Sequence, residues 1–130
     1  MDEAISPAPG QRHMQFLREG RFMLQRSIAS GAFVFYPRVA EPGTGADLEW
    51  VEASGRGIVY STTVIRPRPP RESYNVALID LAEGPRMLSR VEDVAPEDVH
   101  IGMAVQARIA EGESEADGEA QPYVVFAPVA

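Results

Sequence analysis

The chain has 130 residues, 45% of them hydrophobic, and a formal net charge of −7 from 12 basic and 19 acidic side chains. That length suits one domain with a modest core, and the excess of acid disfavours broad nucleic-acid binding, which needs a basic face. The lack of cysteine excludes disulfides, thiol nucleophiles and cysteine-ligated zinc. With no apolar run near the roughly 18 residues of a membrane span and no signal-peptide pattern, we expect a cytoplasmic protein without membrane contact.

The N-terminal part predicts one short helix after a flexible lead-in. Residues 1–10 contain two prolines and a glycine without apolar periodicity. Residues 11–19 carry apolar side chains compatible with an amphipathic helix, and Gly20 stands where a helix ends. So short a helix is not stable alone, so we expect it to dock on the rest of the protein.

A small β unit follows the predicted helix. Strand-like runs at residues 21–26 and 32–36 flank a turn at Ser30-Gly31, and residues 48–52 alternate acidic and apolar side chains as a half-buried strand does. We expect this unit to depend on burying four aromatic side chains, namely Phe33, Phe35, Tyr36 and Trp50.

The remainder of the chain predicts a small β-barrel. Five β-type runs, with a helical turn at residues 95–99 between the third and fourth, follow the strand order of an OB-fold; they occupy residues 57–65, 76–81, 87–91, 105–109 and 123–126. The acidic stretch 111–119 is interpreted as a solvated hairpin loop. At the rim of an OB-fold groove such a loop would repel a phosphate backbone, so nucleic acid is not an expected partner.

Five motifs in register identify a family resemblance over residues 14–128. The chain resembles the OB-fold acyl-CoA-associated family, formerly a domain of unknown function, whose members have an N-terminal helix, a rubredoxin-like zinc ribbon and an OB-fold. The motifs are the run at 16–26, Tyr36-Pro37-Arg38, residues 47–61, residues 77–87, and residues 101–103 with 126–128. The resemblance implies a mainly β fold divided into a lead-in at 1–10, a helix plus ribbon-like unit at 11–53, and an OB-fold at 54–130.

The four zinc-ligand positions of that family carry no cysteine in this chain. By register, they fall on Ser27, Ser30, Glu41 and Thr44. These side chains are not a credible set of zinc ligands, and one carboxylate is too few for a hard cation at Glu41. The alternative that we favour is a ribbon that keeps its hairpins without metal and is stabilised by packing on the barrel, the helix or a partner subunit.

The resemblance also implies a role. Family members are usually small companions of larger thiolase-like, aldolase, acyltransferase or hydratase subunits, which carry most of the chemistry on CoA thioesters. This chain is therefore expected to be a non-catalytic accessory subunit without a cofactor, with a CoA thioester as a candidate ligand. The alternative is a free-standing OB-fold module that binds nucleic acid or another ligand.

The search for catalytic residues is negative. Ser54 lacks the Gly-x-Ser-x-Gly context of a nucleophile elbow, and no dinucleotide or phosphate-loop motif is present. His13 is interpreted as a helix-surface residue and His100 as a loop residue.

A basic loop interleaved with prolines is the candidate binding feature. It contains Arg66, Arg68 and Arg71 on an otherwise acidic chain. Such a loop is either a solvated surface segment or a contact for the phosphates of CoA or for an acidic face of a partner.

Overall fold

A computed structural model describes residues 8–69, 71–111 and 121–129. One α-helix and eight strands are found in these residues, in two antiparallel sheets. None of the described helices is long and apolar enough to cross a membrane. Of the acidic stretch 111–119, interpreted as a hairpin loop, residues 112–119 lie outside the described residues, as do residues 1–7 of the lead-in.

Helix α1 spans Pro9–Arg18, so it begins slightly before the predicted start. Proline suits the first helical position because it has no N–H to leave unpaired there. Gly20 follows the C-cap residue Glu19 and has a left-handed φ of +79°. The Arg21 N–H donates to the Phe16 carbonyl at 2.9 Å and the Gly20 N–H to Leu17 at 2.9 Å, which is the Schellman arrangement of a helix C-terminus.

The ribbon-like unit is a three-stranded antiparallel sheet with the order β2-β1-β3. Its strands are β1 (Met23–Ser27), β2 (Phe33–Val34) and β3 (Leu48–Glu52). The three predicted strands are therefore confirmed, with β2 shorter than predicted.

The five-stranded sheet has the order β6-β5-β4-β7-β8. Its strands are β4 (Arg56–Ile65), β5 (Tyr74–Leu81), β6 (Arg86–Ser89), β7 (Ala104–Glu111) and β8 (Pro122–Pro128). A 3-10 turn at Pro96–Asp98 lies between the third and fourth of them, where the helical turn was predicted. The mainly β fold class with an OB-fold barrel is confirmed.

The barrel closes where β6 meets β8. Val91 forms a parallel bridge with Phe126, whose N–H donates to the Arg90 carbonyl at 2.9 Å and whose carbonyl accepts from the Glu92 N–H at 2.7 Å. The Asn75 side chain satisfies the Val91 backbone groups that this bridge leaves unused. Its amide donates to the Val91 carbonyl at 2.7 Å and its oxygen accepts from the Val91 N–H at 2.9 Å.

One hydrophobic core joins the barrel to the N-terminal unit. Leu17 of α1, Phe22 just before β1 and Leu24 of β1 belong to the same buried cluster as Ile79 and Phe126 of the barrel. The packing of helix and ribbon on the barrel is thus confirmed. Phe33 and Phe35 pack against this cluster and Trp50 is partly buried, but Tyr36 is 54% exposed, so the prediction that Tyr36 is buried is wrong.

Candidate functional site

The four side chains at the predicted zinc-ligand positions converge in a single hydrogen-bonded cluster, here called the Glu41 cluster. The Glu41 carboxylate accepts from Thr44 Oγ1 at 2.7 Å, from Ser30 Oγ at 2.9 Å and from Ser27 Oγ at 3.0 Å. Each hydroxyl donates to the same carboxylate, so no hydroxyl proton in the cluster is left without an acceptor. The cluster links the turn after β1 to the turn before β3.

The two turns that carry the cluster have matching backbone hydrogen bonds. The Ser27 N–H donates to the Ala32 carbonyl at 2.8 Å, as the Glu41 N–H donates to the Ala46 carbonyl at 2.9 Å. Gly31 and Gly45 occupy equivalent positions in the two turns, with φ of +78° and +73°. Residues other than glycine rarely adopt this backbone conformation. The two turns therefore have similar backbone conformations, and their four polar side chains face one another.

The Glu41 cluster favours an ionised carboxylate. Hydrogen bonds, from Thr44 first, then Ser30, then Ser27, lower the pKa of Glu41 from its ordinary 4.5, and burial acts in the opposite direction but is outweighed. The stability that these bonds contribute is therefore present above the ordinary pKa and is lost as the pH falls through the lowered one.

These residues do not fit the zinc ion of a rubredoxin-like ribbon. Zinc in such structural sites takes thiolate or imidazole ligands at tetrahedral positions, whereas the cluster offers three hydroxyls and one carboxylate. Among the described residues, no group of three or more histidine, cysteine, aspartate or glutamate side chains is placed to hold a metal ion. In this chain, hydrogen bonds link the two turns that carry the predicted zinc-ligand positions.

The three arginines of the basic loop lie on a different element, the connection between β4 and β5. Arg66, Arg68 and Arg71 are all exposed, and a backbone hydrogen bond of 3.2 Å from the Arg71 N–H to the Arg68 carbonyl folds the segment into a turn. None of the three pairs with a carboxylate within the described parts of the chain. Their predicted role in binding stays a prediction.

His13 is not the helix-surface residue that the sequence predicted. Its ring lies between helix and ribbon, with centroids 5.8 Å from Phe35, 6.2 Å from Phe22 and 6.4 Å from Trp50. Its Nε2 is buried without a hydrogen-bond partner in the described residues. The helical spacing in the sequence indicates this position. His13 precedes the buried Phe16 and Leu17 by three and four residues, so it lies on the same face of the helix.

We expect the protein to lose stability below pH 6.5 because of His13. Burial lowers the pKa of His13 from its ordinary 6.5 in the folded state, so the unfolded chain takes up this proton first as the pH falls. The melting temperature of the His13→Phe variant should therefore fall less steeply below pH 6.5 than that of the native protein. His100→Gln, at an exposed histidine, is the control and should follow the native curve; identical profiles for all three proteins would contradict the prediction.

Comparison with known proteins identifies the family to which this chain belongs. The profile described as "ChsH2, C-terminal OB-fold domain" matches residues 50–110. A DUF35 domain-containing scaffold protein of Pyrococcus furiosus is 30% identical over 105 residues, which cover 77% of each chain. The chain belongs to the DUF35 family. The resemblance to the OB-fold acyl-CoA-associated family is thereby confirmed.

Two further similar chains come from an aldolase structure and from a probable hydratase. A chain of the structure described as "Ltp2-ChsH2(DUF35) aldolase" superposes with a TM-score of 0.74 at 29% identity and covers 97% of this chain and 98% of that one. A probable enoyl-CoA hydratase alpha subunit of Thermomonospora curvata is 37% identical over 92 residues, or 68% of this chain. The present chain matches only 29% of that subunit's length.

Proposed function

We propose that this DUF35 protein is a non-catalytic accessory subunit of an enzyme that handles CoA thioesters. Its partner would be a larger thiolase-like, aldolase or hydratase subunit. The observation that carries the proposal is the full-length superposition on a chain of the Ltp2-ChsH2(DUF35) aldolase, with a TM-score of 0.74 over 97% of this chain. Because the likeness spans both sheets, it extends to the ribbon as well as to the barrel.

The surroundings of the candidate nucleophiles and bases among the described residues support a non-catalytic role for this protein. The hydroxyls of Ser27, Ser30 and Thr44 donate to the Glu41 carboxylate, whose lowered pKa makes it a poor general base. The His13 ring lies among aromatic rings, and His100 Nδ1 lies 3.3 Å from the Asp98 carbonyl. Activation of a nucleophile needs a neighbouring base whose pKa lies near the operating pH, which Glu41 is not, and no hydroxyl of the described residues is hydrogen-bonded to either histidine.

An exposed apolar strip on the barrel supports a protein partner. Ile58 and Tyr60 alternate along β4 with the buried Gly57 and Val59, so both point away from the core. Each of these two side chains, like Leu88 on β6, is about half exposed. Leu88 pairs across the sheet with Leu78 of β5, which continues the strip between the two strands. The Asp80–Arg86 ion pair lies on the same face, with the Arg86 guanidinium 3.4 Å from the Tyr60 ring centroid, so one ion pair lies within the strip. Exposed apolar side chains grouped on an outer sheet face are typical of a surface that another protein covers.

Co-purification tests the proposed assembly. The tagged chain, expressed in its native host and isolated under mild conditions, is expected to retain an enzyme subunit of thiolase, aldolase or hydratase size at fixed stoichiometry. Mass spectrometry would identify that subunit, and light scattering would give the stoichiometry. A monomer that binds single-stranded oligonucleotides and retains no such enzyme would overturn the proposal.

The arginine loop is expected to contribute to this assembly. Replacing Arg66, Arg68 and Arg71 with alanine should weaken partner binding about tenfold, since exposed ion pairs contribute a few tenths to one kcal/mol each. The matched control replaces Arg18, Arg21 and Arg56, which are also exposed, and so carries the same change in net charge. Equal affinities of the two variants, measured by calorimetry at low ionic strength, would contradict a specific role of the loop.

A further inference from the structure

A groove of about 730 Å³ lies between the start of helix α1 and the ribbon sheet. Its walls include Arg12 of the helix, Arg38 of the segment after β2, and Trp50 and Leu48 of β3. Ligand sites in proteins commonly have volumes of about 300 to 1,000 Å³ and combine an apolar wall with a few polar groups. The groove has both properties, and none of the residues assigned to the function so far lies in it.

The groove is cationic on an acidic protein. Arg12 and Arg38 line it, and no carboxylate is found among the described residues that form its walls. Neither arginine forms an ion pair with a carboxylate in the described parts of the chain. Two guanidinium groups without a countercharge favour an anionic ligand, and their planar donors suit phosphate oxygens.

Contacts with the fold hold the Arg12 guanidinium and the backbone from which the Arg38 side chain extends. The Gln25 side chain, which is 5% exposed, donates to the Arg38 carbonyl at 2.7 Å and accepts from the Arg38 N–H at 2.7 Å. The Arg12 guanidinium lies 5.0 Å from the centroid of the Phe16 ring. A binding group that is fixed beforehand loses less conformational entropy when the ligand arrives.

The aromatic wall is also fixed. The Trp50 ring packs edge-on against Phe16, with 5.3 Å between centroids, while the residue as a whole is only partly buried. An indole held in this way offers a surface on which a planar ring can stack. The groove thus places an aromatic surface beside two cations.

We propose that this groove binds a phosphorylated nucleoside, with its phosphate on Arg12 and Arg38 and its base against Trp50. A CoA thioester contains such a group, so the proposal rests on the proposed function for its physiological ligand; a free nucleotide is the other source of the same chemistry. Binding to the groove is a property of this chain alone and requires no partner subunit.

The fluorescence of Trp50 tests the proposal, because it is the single tryptophan of the sequence. The purified full chain is titrated with coenzyme A, ADP, adenosine and inorganic phosphate. Coenzyme A and ADP are expected to change the emission saturably, and adenosine or phosphate alone to bind at least about tenfold more weakly, since each keeps only one of the two contacts. Tighter binding of coenzyme A than of ADP would identify coenzyme A as the physiological ligand. Equal affinities for the two would identify a free nucleotide.

Two variants locate the site. Arg38→Ala should raise the Kd at least about tenfold while leaving the fold intact, because the Gln25 bonds go to the Arg38 backbone. Arg18→Ala removes one charge from an exposed arginine at the end of α1, outside the groove; it is the control and should retain native binding. Absence of any ligand response, or native binding by Arg38→Ala, would overturn the groove proposal. Either result would leave co-purification with an enzyme subunit unaffected, so the two proposals fail separately.

Discussion

A variant with cysteine at positions 27, 30, 41 and 44 is expected to bind one zinc ion and to melt at a higher temperature with zinc than without it. In the native protein these four side chains already meet at the Glu41 carboxylate. Four thiolates on the same two turns would supply tetrahedral ligands at about 2.3 Å from the metal. Structural zinc in small domains contributes on the order of 10 kcal/mol, which is the upper limit for the gain here.

The measurements are metal content, the visible spectrum of the cobalt-substituted protein, and melting temperature with and without a chelator. The matched control carries only Ser27→Cys and Ser30→Cys, so it offers half of the ligands on one turn. It should bind zinc far more weakly, and the native protein should show no change in melting temperature with zinc. If the fourfold variant bound zinc no better than the twofold one, the two turns would not have the geometry of a ribbon site.

Replacing Asn75 with leucine is expected to lower the free energy of unfolding by about 2 to 6 kcal/mol. Asn75 is 3% exposed and bonds both backbone groups of Val91, which is itself 2% exposed. Leucine fills a similar volume but leaves a buried N–H and a buried carbonyl without partners, and each unpaired group costs about 1 to 3 kcal/mol. Denaturant titration measures the loss.

Tyr74→Phe is the control for this variant. Tyr74 is the neighbouring residue of β5 and is exposed, so loss of its hydroxyl should change the free energy of unfolding by less than about 0.5 kcal/mol. Native stability of Asn75→Leu would mean that the barrel closes at Val91 and Phe126 without this side chain.

The elements of the fold could be predicted because their signals are local. Strand β5 alternates buried and half-buried residues from Asn75 to Leu81, and β3 begins and ends at the predicted residues. Such local patterns do not indicate close contacts between strands. In the sequence, Gly57 looks like an ordinary first residue of a strand. A Cβ on Gly57 would lie 2.5 Å from Ile79 Cγ2 and 3.1 Å from the Asp80 carbonyl, so the residue is fixed by packing on β5.

The candidate sites were less predictable, because they depend on contacts between distant residues. Resemblance supplied the four positions of the Glu41 cluster, but nothing in the sequence indicated that three hydroxyls would share one carboxylate. Tyr36 was predicted to be buried from its aromatic character alone, whereas β2 ends at Val34 and the chain leaves the sheet before Tyr36. The groove joins Arg12 of α1 to Arg38 of the ribbon, and only the docking of the helix brings these two arginines to one place.

The Glu41 cluster has a consequence for the conditions that the protein tolerates. A ribbon held by thiolates and zinc comes apart when a chelator removes the metal or an oxidant modifies sulfur. Here the same two turns are joined by hydroxyls and a carboxylate, which neither agent attacks, and the lowered pKa of Glu41 keeps the acceptor charged to a lower pH than that of an ordinary glutamate. The N-terminal unit can therefore keep its shape during metal starvation and oxidative stress.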